Sequence, residues 1–194
     1  MEKDKFLILS WDEFYWDIFD LGRKIEESYK PDILIAIARG GWVVGRIISD
    51  LLEVSKVASI GVRFYKDVGV RDLKPEITQP LSVTVRDQKV LIVDDVADTG
   101  ETIELVKKHV LEDNPRSVKI AVVYVKPWCK ASIDYYVKKT DKWIVFPYEQ
   151  METISHLVKK MRLKGLEKSE VYTAIINLGF DEHIVKKILG QLKI

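Results

Sequence analysis

Residues 90–102 read VLIVDDVADTGET. The run Val90-Leu91-Ile92-Val93 is apolar without alternation, as a strand buried on both faces of a parallel sheet requires. Two carboxylates, Asp94 and Asp95, follow it. A short turn, Val96-Ala97-Asp98-Thr99-Gly100, opens a helix near Glu101, and Ile103, Val106, Val110 and Leu111 share one stripe of that helix. Such a turn presents unpaired backbone N–H groups at a helix N-terminus, where the dipole favours an anion. Thr99 and Thr102 add hydroxyls, so the seat suits a phosphate monoester. Ionised Asp94 and Asp95 only accept hydrogen bonds, which suits sugar hydroxyls or a hard cation such as Mg²⁺. A phosphate seat beside a diol seat describes a site for a ribose 5-phosphate. Helix capping alone would account for the threonines. It would not account for two adjacent carboxylates at a strand end, each costly to bury unpaired.

Working outward, the same strand–turn–helix grammar recurs. Ile33–Ala38 (ILIAIA) is a buried strand, followed by Arg39-Gly40-Gly41 and a helix from Trp42 to about Leu52. The glycines permit close approach of backbone to a ligand. Residues 58–65 (ASIGVRFY) form another strand, with a polar stretch of about 15 residues after it. That stretch is either a functional loop or a β-hairpin in which Leu81–Val85 pairs back. Residues 119–126 (KIAVVYVK) end a fifth strand at Lys126-Pro127-Trp128, and Tyr135–Val137 and Trp143–Pro147 read as short strands. Before all of these, residues 10–29 form an amphipathic helix opened by a Ser10/Glu13 capping box. Strands alternating with helices predict an α/β fold, a doubly wound and mostly parallel five-stranded sheet with flanking helices. Its ligand crevice belongs at the carboxyl ends of the strands. Arg39, Arg63, Asp94, Asp95 and Lys126 all fall at such ends.

The stretch 90–102 resembles the PRPP-binding motif of the type I phosphoribosyltransferases: hydrophobic residues, two acids, then D-T-G-x-T. PRPP is 5-phosphoribosyl 1-pyrophosphate. The resemblance implies that Asp94 and Asp95 hold the ribose hydroxyls and Mg²⁺, and that Ala97, Asp98, Thr99, Gly100, Glu101 and Thr102 cradle the 5-phosphate. Ala38-Arg39-Gly40-Gly41 is similar to the pyrophosphate loop of the 6-oxopurine branch, so Arg39, Gly40 and Gly41, with Arg63, are expected at the pyrophosphate. That branch often carries a non-proline cis peptide at the first position of this loop, and Arg39–Gly40 is the expected bond. Arg63-Phe64-Tyr65 resembles the basic-Ser-Tyr that opens a closing loop, which would carry Tyr65 and Lys66. Phe64 departs from the serine of the pattern.

YVKPW (124–128) and DKWIVFPYE (141–149) resemble two segments of the bacterial xanthine–guanine branch. By that resemblance Lys126 donates to the purine O6, Trp143 stacks on the base and Ile144 offers a backbone contact. An ammonium has donors only, so it favours an oxo over an amino group. Asp98 is the expected catalytic residue, a general base or proton carrier near purine N7. The implied reaction transfers the phosphoribosyl group of PRPP to a purine base, with hypoxanthine, guanine or xanthine favoured and adenine the alternative. The products are a nucleoside 5′-monophosphate and pyrophosphate. A more distant alternative is a PRPP-sensing regulator that binds nucleic acid.

Composition narrows the classes. The chain has 194 residues, 47% of them hydrophobic, and a formal net charge of +1. No global field recruits nucleic acid or a membrane. A single cysteine, Cys129, excludes an internal disulfide framework. No signal segment or membrane-length apolar run occurs, so a cytoplasmic protein is expected. The three histidines, His109, His156 and His183, show no metal spacing. Residues 1–148 are expected to form the phosphoribosyltransferase domain, with a small hood from 126 to 147. Residues 149–194 are expected to be a helical C-terminal extension, with helices at 149–163, 168–178 and 181–190, that packs on the domain or stabilises a homodimer or higher homo-oligomer.

Overall fold

The computed structural model describes residues 3–65 and 74–192. It divides into two compact units, Tyr15–Asp141 and a smaller one made of Met1–Phe14 with Lys142–Ile194.

The larger unit is built on a six-stranded sheet. Its strands are β2 (Ile33–Ala38), β3 (Val57–Tyr65), β4 (Lys74–Gln79), β5 (Lys89–Ala97), β6 (Ser117–Val125) and β7 (Tyr135–Lys139). Their order is β4-β3-β2-β5-β6-β7. All neighbours run parallel except β3 and β4. The two glycine turns launch α2 (Gly41–Leu51) and α3 (Glu101–Leu111). Ile33, Ile35, Ile37, Val90, Ile92, Ile120 and Val122 form a core with Ile103, Val106 and Val110 of α3. On the other face, Gly45 of α2 lies so close to Ala36, Leu34 and Val93 that a Cβ there would come within 2.9 Å of Ala36. With one face of the sheet taken by α3 and the other by α2, the unbroken apolar run of β2 is explained.

The α/β architecture, mostly parallel sheet and flanking helices agree with the reading of the sequence, and four details are corrected. The sheet has six strands among the described residues rather than five, because Lys74–Gln79 and Tyr135–Lys139 both join it. The partner of β3 is Lys74–Gln79, not Leu81–Val85. The latter segment is tied elsewhere: Thr84 Oγ1 and the Val85 amide donate to the Asp113 carboxylate at 2.6 and 2.7 Å. As an edge strand, β4 tolerates Pro75. The cis peptide bond is Ala38–Arg39, one residue earlier than expected. Finally, β5 does not stop at Val93. It runs to Ala97, because β6 supplies register partners as far as Val125.

In the smaller unit, β1 (Phe6–Ile8) pairs in parallel with β8 (Trp143–Val145). Helices α4 (Gln150–Leu163), α5 (Lys168–Asn177) and α6 (Glu182–Gln191) bury Ile154, Leu157, Val158, Val171, Ile175, Phe180, Val185 and Leu189 together with Val145. Their spans follow the three expected helices within a residue or two. Asp181 caps α6 by accepting from the Ile184 amide at 3.0 Å, and Glu167 with Glu170 forms a capping box at α5. Helix α1 (Trp11–Glu26) opens with the expected Ser10/Glu13 capping box, Ser10 N to Glu13 Oε2 at 2.8 Å and Glu13 N to Ser10 Oγ at 3.1 Å. The expected boundary at 148/149 falls inside this unit, and the expected hood is shared out: Tyr135–Lys139 belongs to the large sheet and Trp143–Val145 pairs with β1. No helix among the described residues is long and apolar enough to cross a membrane.

Candidate active site

β2, β3, β5 and β6 all run in one direction, so Ala38, Tyr65, Ala97 and Val125 end at the same edge of the sheet. Asp94 and Asp95 lie in the last turn-ward residues of β5, and both are buried, at 8% and 7% exposure. The Asp95 amide donates to Asp94 Oδ1 at 3.0 Å, and the Val96 amide donates to Asp95 Oδ1 at 2.6 Å. Burial, and then the neighbouring Asp95 charge, push the Asp94 carboxyl well above the usual carboxylate range, against hydrogen bonds from the Asp95 and Gly41 amides.

The Arg39-Gly40-Gly41 turn closes directly onto these acids. A Cβ on Gly40 would lie 2.8 Å from Asp95 Oδ1 and nearer still to its Cγ and Oδ2. One on Gly41 would lie 2.7 Å from the Val93 carbonyl oxygen and 3.3 Å from Asp94 Oδ1. The glycines are therefore required by space. Gly40 has φ −57° and ψ −42°, a conformation open to any residue. Arg39 is exposed beside them, and Arg63 is exposed on β3 opposite Glu76 of β4.

On the other side of Asp94 lies a concavity of ≈ 460 Å³, lined by Phe64, Asp94 and the residues from Val96 to Ile103. Gly100 caps α3 at φ +93°, a conformation that favours glycine. The Glu101 amide reaches Thr99 Oγ1 at 3.4 Å, and Glu104 is the first amide to bond back to the Gly100 carbonyl, at 3.0 Å. Among the described residues the intervening amides of Thr102 and Ile103 have no hydrogen-bond acceptor, as at a helix N-terminus. The cavity has the size of a small-molecule site.

Lys126 follows β6 and is buried at 8% exposure. Burial pulls its ammonium below the usual lysine range, opposed by the charges of Asp98 and Asp141. Asp98 is exposed, and its Oδ1 accepts the indole N–H of Trp128 at 2.6 Å. The Trp128 ring in turn lies 5.7 Å from Lys126 Nζ. Reading the sequence alone missed Trp128 as a partner of Asp98, and Phe64 as a wall of the cavity.

Beside the exposed Arg39 and Arg63 and the buried Lys126, the other described site residues expected from the sequence fall into three groups. Gly40, Gly41, Asp94 and Asp95 meet directly, and Ala97, Asp98, Thr99, Gly100, Glu101 and Thr102 line one cavity with Asp94. Trp143 and Ile144 belong to the smaller unit: Trp143 is 66% exposed on β8, and Ile144 is buried opposite Leu7. Lys66 and the side chain of Tyr65 lie outside the described residues. Among the described residues no group of three or more His, Cys, Asp or Glu forms a cage for a metal. The Asp94–Asp95 pair fits the way Mg²⁺ is commonly held, by one or two carboxylates with substrate oxygens completing the shell.

A glycine-lined turn, a carboxylate pair and a cavity at a helix N-terminus lie together along the carboxyl edge of a doubly wound α/β sheet. Residues 8–150 match the phosphoribosyl transferase domain, and the chain belongs to that family. It is 32% identical over 151 residues to a xanthine-guanine phosphoribosyltransferase from Cereibacter sphaeroides, covering 73% of this chain and 85% of that protein. It is 30% identical over 145 residues to the protein of the same description from Idiomarina loihiensis, with the same coverage. Among solved structures, a purine phosphoribosyltransferase from Pyrococcus horikoshii superposes with a TM-score of 0.69 at 41% identity, covering 75% of this chain and 95% of that one.

Proposed function

We propose that this chain is a purine phosphoribosyltransferase that transfers the phosphoribosyl group of PRPP to a purine, with 6-oxopurines preferred. What supports the reading most is the closure of Gly40 and Gly41 onto Asp95 and Asp94, beside the 96–103 cradle. An anion seat, a diol seat and a phosphate seat then follow one another along a single edge, in the order pyrophosphate, ribose and 5-phosphate.

In this reading the amides at the start of α3 and the hydroxyls of Thr99 and Thr102 bind the 5-phosphate. Asp94 and Asp95 accept the ribose hydroxyls and would hold Mg²⁺, which when bound neutralises charge on the pyrophosphate. Arg39, Arg63 and the Gly40-Gly41 backbone bind pyrophosphate. A purine ring nitrogen attacks ribose C1, the C1–O bond breaks with its electron pair passing to pyrophosphate, and Asp98 takes the proton from the ring. Lys126, an ammonium with donors only, faces an oxo group at purine C6. Holding the reactants in register supplies much of the rate.

Incubation with PRPP, Mg²⁺ and each of hypoxanthine, guanine, xanthine and adenine tests the reading. Formation of nucleoside monophosphate and pyrophosphate is expected, fastest with a 6-oxopurine. No turnover with any of the four refutes it.

A further inference from the structure

Strand β6 is followed by Lys126-Pro127-Trp128-Cys129, and the Cys129 amide bonds to the Lys126 carbonyl at 3.0 Å. This is a four-residue turn with proline at its second position, where its fixed φ is already correct. Two further backbone bonds lash the turn to the phosphate cradle: Lys126 N to Ala97 O at 2.9 Å and Lys130 N to Thr99 O at 3.0 Å. Ala131 then seats against Gly100, where a Cβ would come within 2.7 Å of the Ala131 amide nitrogen. Trp128, the third residue of the turn, is thereby carried back over Asp98. Its indole N–H donates to Asp98 Oδ1 at 2.6 Å, though its ring is half exposed.

Half of the ring stays exposed, so burial alone does not account for where its N–H points. The bond does have a chemical use. Indole Nε1–H donates and cannot accept. It fixes one oxygen of Asp98 and leaves the other to take a proton. The ring face meanwhile stands 5.7 Å from Lys126 Nζ, within cation–π range. One side chain touches both polar groups that the proposed reaction needs at the base.

We propose that Trp128 is the positioning residue of Asp98, orienting its carboxylate for proton transfer from the purine ring. This rests on the phosphoribosyltransferase reading above. The test is steady-state kinetics of Trp128→Phe, which keeps a ring face and removes the N–H, and of Trp128→His, which can restore a ring N–H donor. Trp128→Phe is expected to lower kcat about tenfold with KM for PRPP unchanged, the loss of one charge-assisted hydrogen bond. Trp128→His is expected to recover part of that loss. In an Asp98→Asn background, Trp128→Phe is expected to cost less than about twofold, because the two residues act as one unit. A tenfold loss that persists in that background, or one that appears in KM for PRPP, overturns the proposal and makes Trp128 a packing residue. An unchanged kcat for Trp128→Phe overturns it as well. No turnover by the wild-type protein with any purine overturns both this and the function it rests on, whereas normal wild-type turnover with an unaltered Trp128→Phe overturns this inference alone.

Discussion

Replacing Gly40 with alanine separates two reasons for keeping a glycine: backbone freedom and space. Gly40 has φ −57° and ψ −42°, which alanine adopts without strain. Freedom is therefore irrelevant, and alanine on this ground alone would stabilise the fold by about 0.4–1 kcal/mol through the unfolded chain. Space argues the other way. The new Cβ would lie 2.8 Å from Asp95 Oδ1, the most distant of the three carboxyl atoms it meets. Non-bonded heavy atoms rest at roughly 3.5 Å, so even that atom must retreat by about 0.7 Å, and the nearer two by more. Asp95 is buried at 7% exposure and its Oδ1 holds the Val96 amide, so the group has little room to retreat. A displacement of about 1 Å at a positioning group costs on the order of 10²-fold in rate, or about 2.7 kcal/mol. Overpacking adds about 1–3 kcal/mol of lost stability.

The assays are kcat/KM for PRPP and chemical denaturation, on Gly40→Ala, Asp95→Ala and the double variant. Gly40→Ala alone is expected to lose about 100-fold in kcat/KM and about 1–3 kcal/mol in stability. In the Asp95→Ala background the carboxyl is gone and the backbone preference remains, so the same substitution should become neutral or stabilising. That change of sign is the signature of the argument. Equal destabilisation in both backgrounds, or a Gly40→Ala protein with kcat/KM within about threefold of wild type, refutes it.

Asp94→Asn is expected to gain roughly 1 kcal/mol of stability near neutral pH, about 2–4 °C in Tm, while losing PRPP affinity. Burial and Asp95 raise the folded-state carboxyl above its ordinary range, so the folded protein holds that proton longer than the unfolded chain. The penalty is absent below the ordinary carboxylate range and grows as pH rises towards the raised value; the gain of Asp94→Asn should fade on acidification, as melting curves across pH will read. Gly100→Ala is expected to cost about 2–3 kcal/mol by denaturation, because a residue at φ +93° is strained and its Cβ would press on the Ala131 backbone. Lys126→Gln should shift the hypoxanthine-to-adenine ratio of kcat/KM by about 10–100-fold towards adenine, the worth of a hydrogen bond to a charged donor, with little change in KM for PRPP. Since burial lowers the Lys126 ammonium, wild-type preference for 6-oxopurines should weaken on the alkaline side sooner than an ordinary lysine would allow, as measured by the same ratio against pH.

The parts of the site that were legible in the sequence are those carried by local rules. VLIVDDVADTGET contains its own strand, acids, turn and helix start, and a buried parallel strand needs no long-range partner to be recognised. The three C-terminal helices were legible for the same reason, through the punctuation of Gly165 and Gly179 and the apolar residues between them. What stayed hidden depends on distance. The span of β5 past Asp94 is set by how far β6 runs alongside it, and acids at 94 and 95 give no sign of that in their own neighbourhood. The segment Leu81–Val85 alternates like a strand but is claimed by the Asp113 carboxylate, 28 residues on from Val85. Trp128 and Asp98 are 30 residues apart. The one local hint was Pro127, which marks a turn at the end of β6 and so a chain that must double back over the neighbouring loop.

These hidden contacts share a hub. Gly40 rests on Asp95, Gly41 bonds Asp94, Lys126 bonds Ala97 and Lys130 bonds Thr99. Two of the loops that the proposed reaction needs in this unit, the Arg39–Gly41 turn and the Lys126–Lys130 turn, are tied to the end of β5 or to the turn that follows it. The end of β5 is also where burial and the neighbouring Asp95 make an unfavourable interaction with the charged form of Asp94. Relief of that interaction by a ribose and its cation would then tighten the strand to which the pyrophosphate turn and the Trp128 turn are both attached. Binding energy gained at one carboxylate pair would in this way be spread over the anion seat on one side and Asp98 on the other. The coupling has a measurable form: saturating PRPP with Mg²⁺ should slow hydrogen exchange at the Lys126 and Lys130 amides, which bond to Ala97 and Thr99, in the wild-type protein and not in saturated Asp94→Asn. Equal slowing in the two proteins would mean that the acids bind substrate without linking the loops.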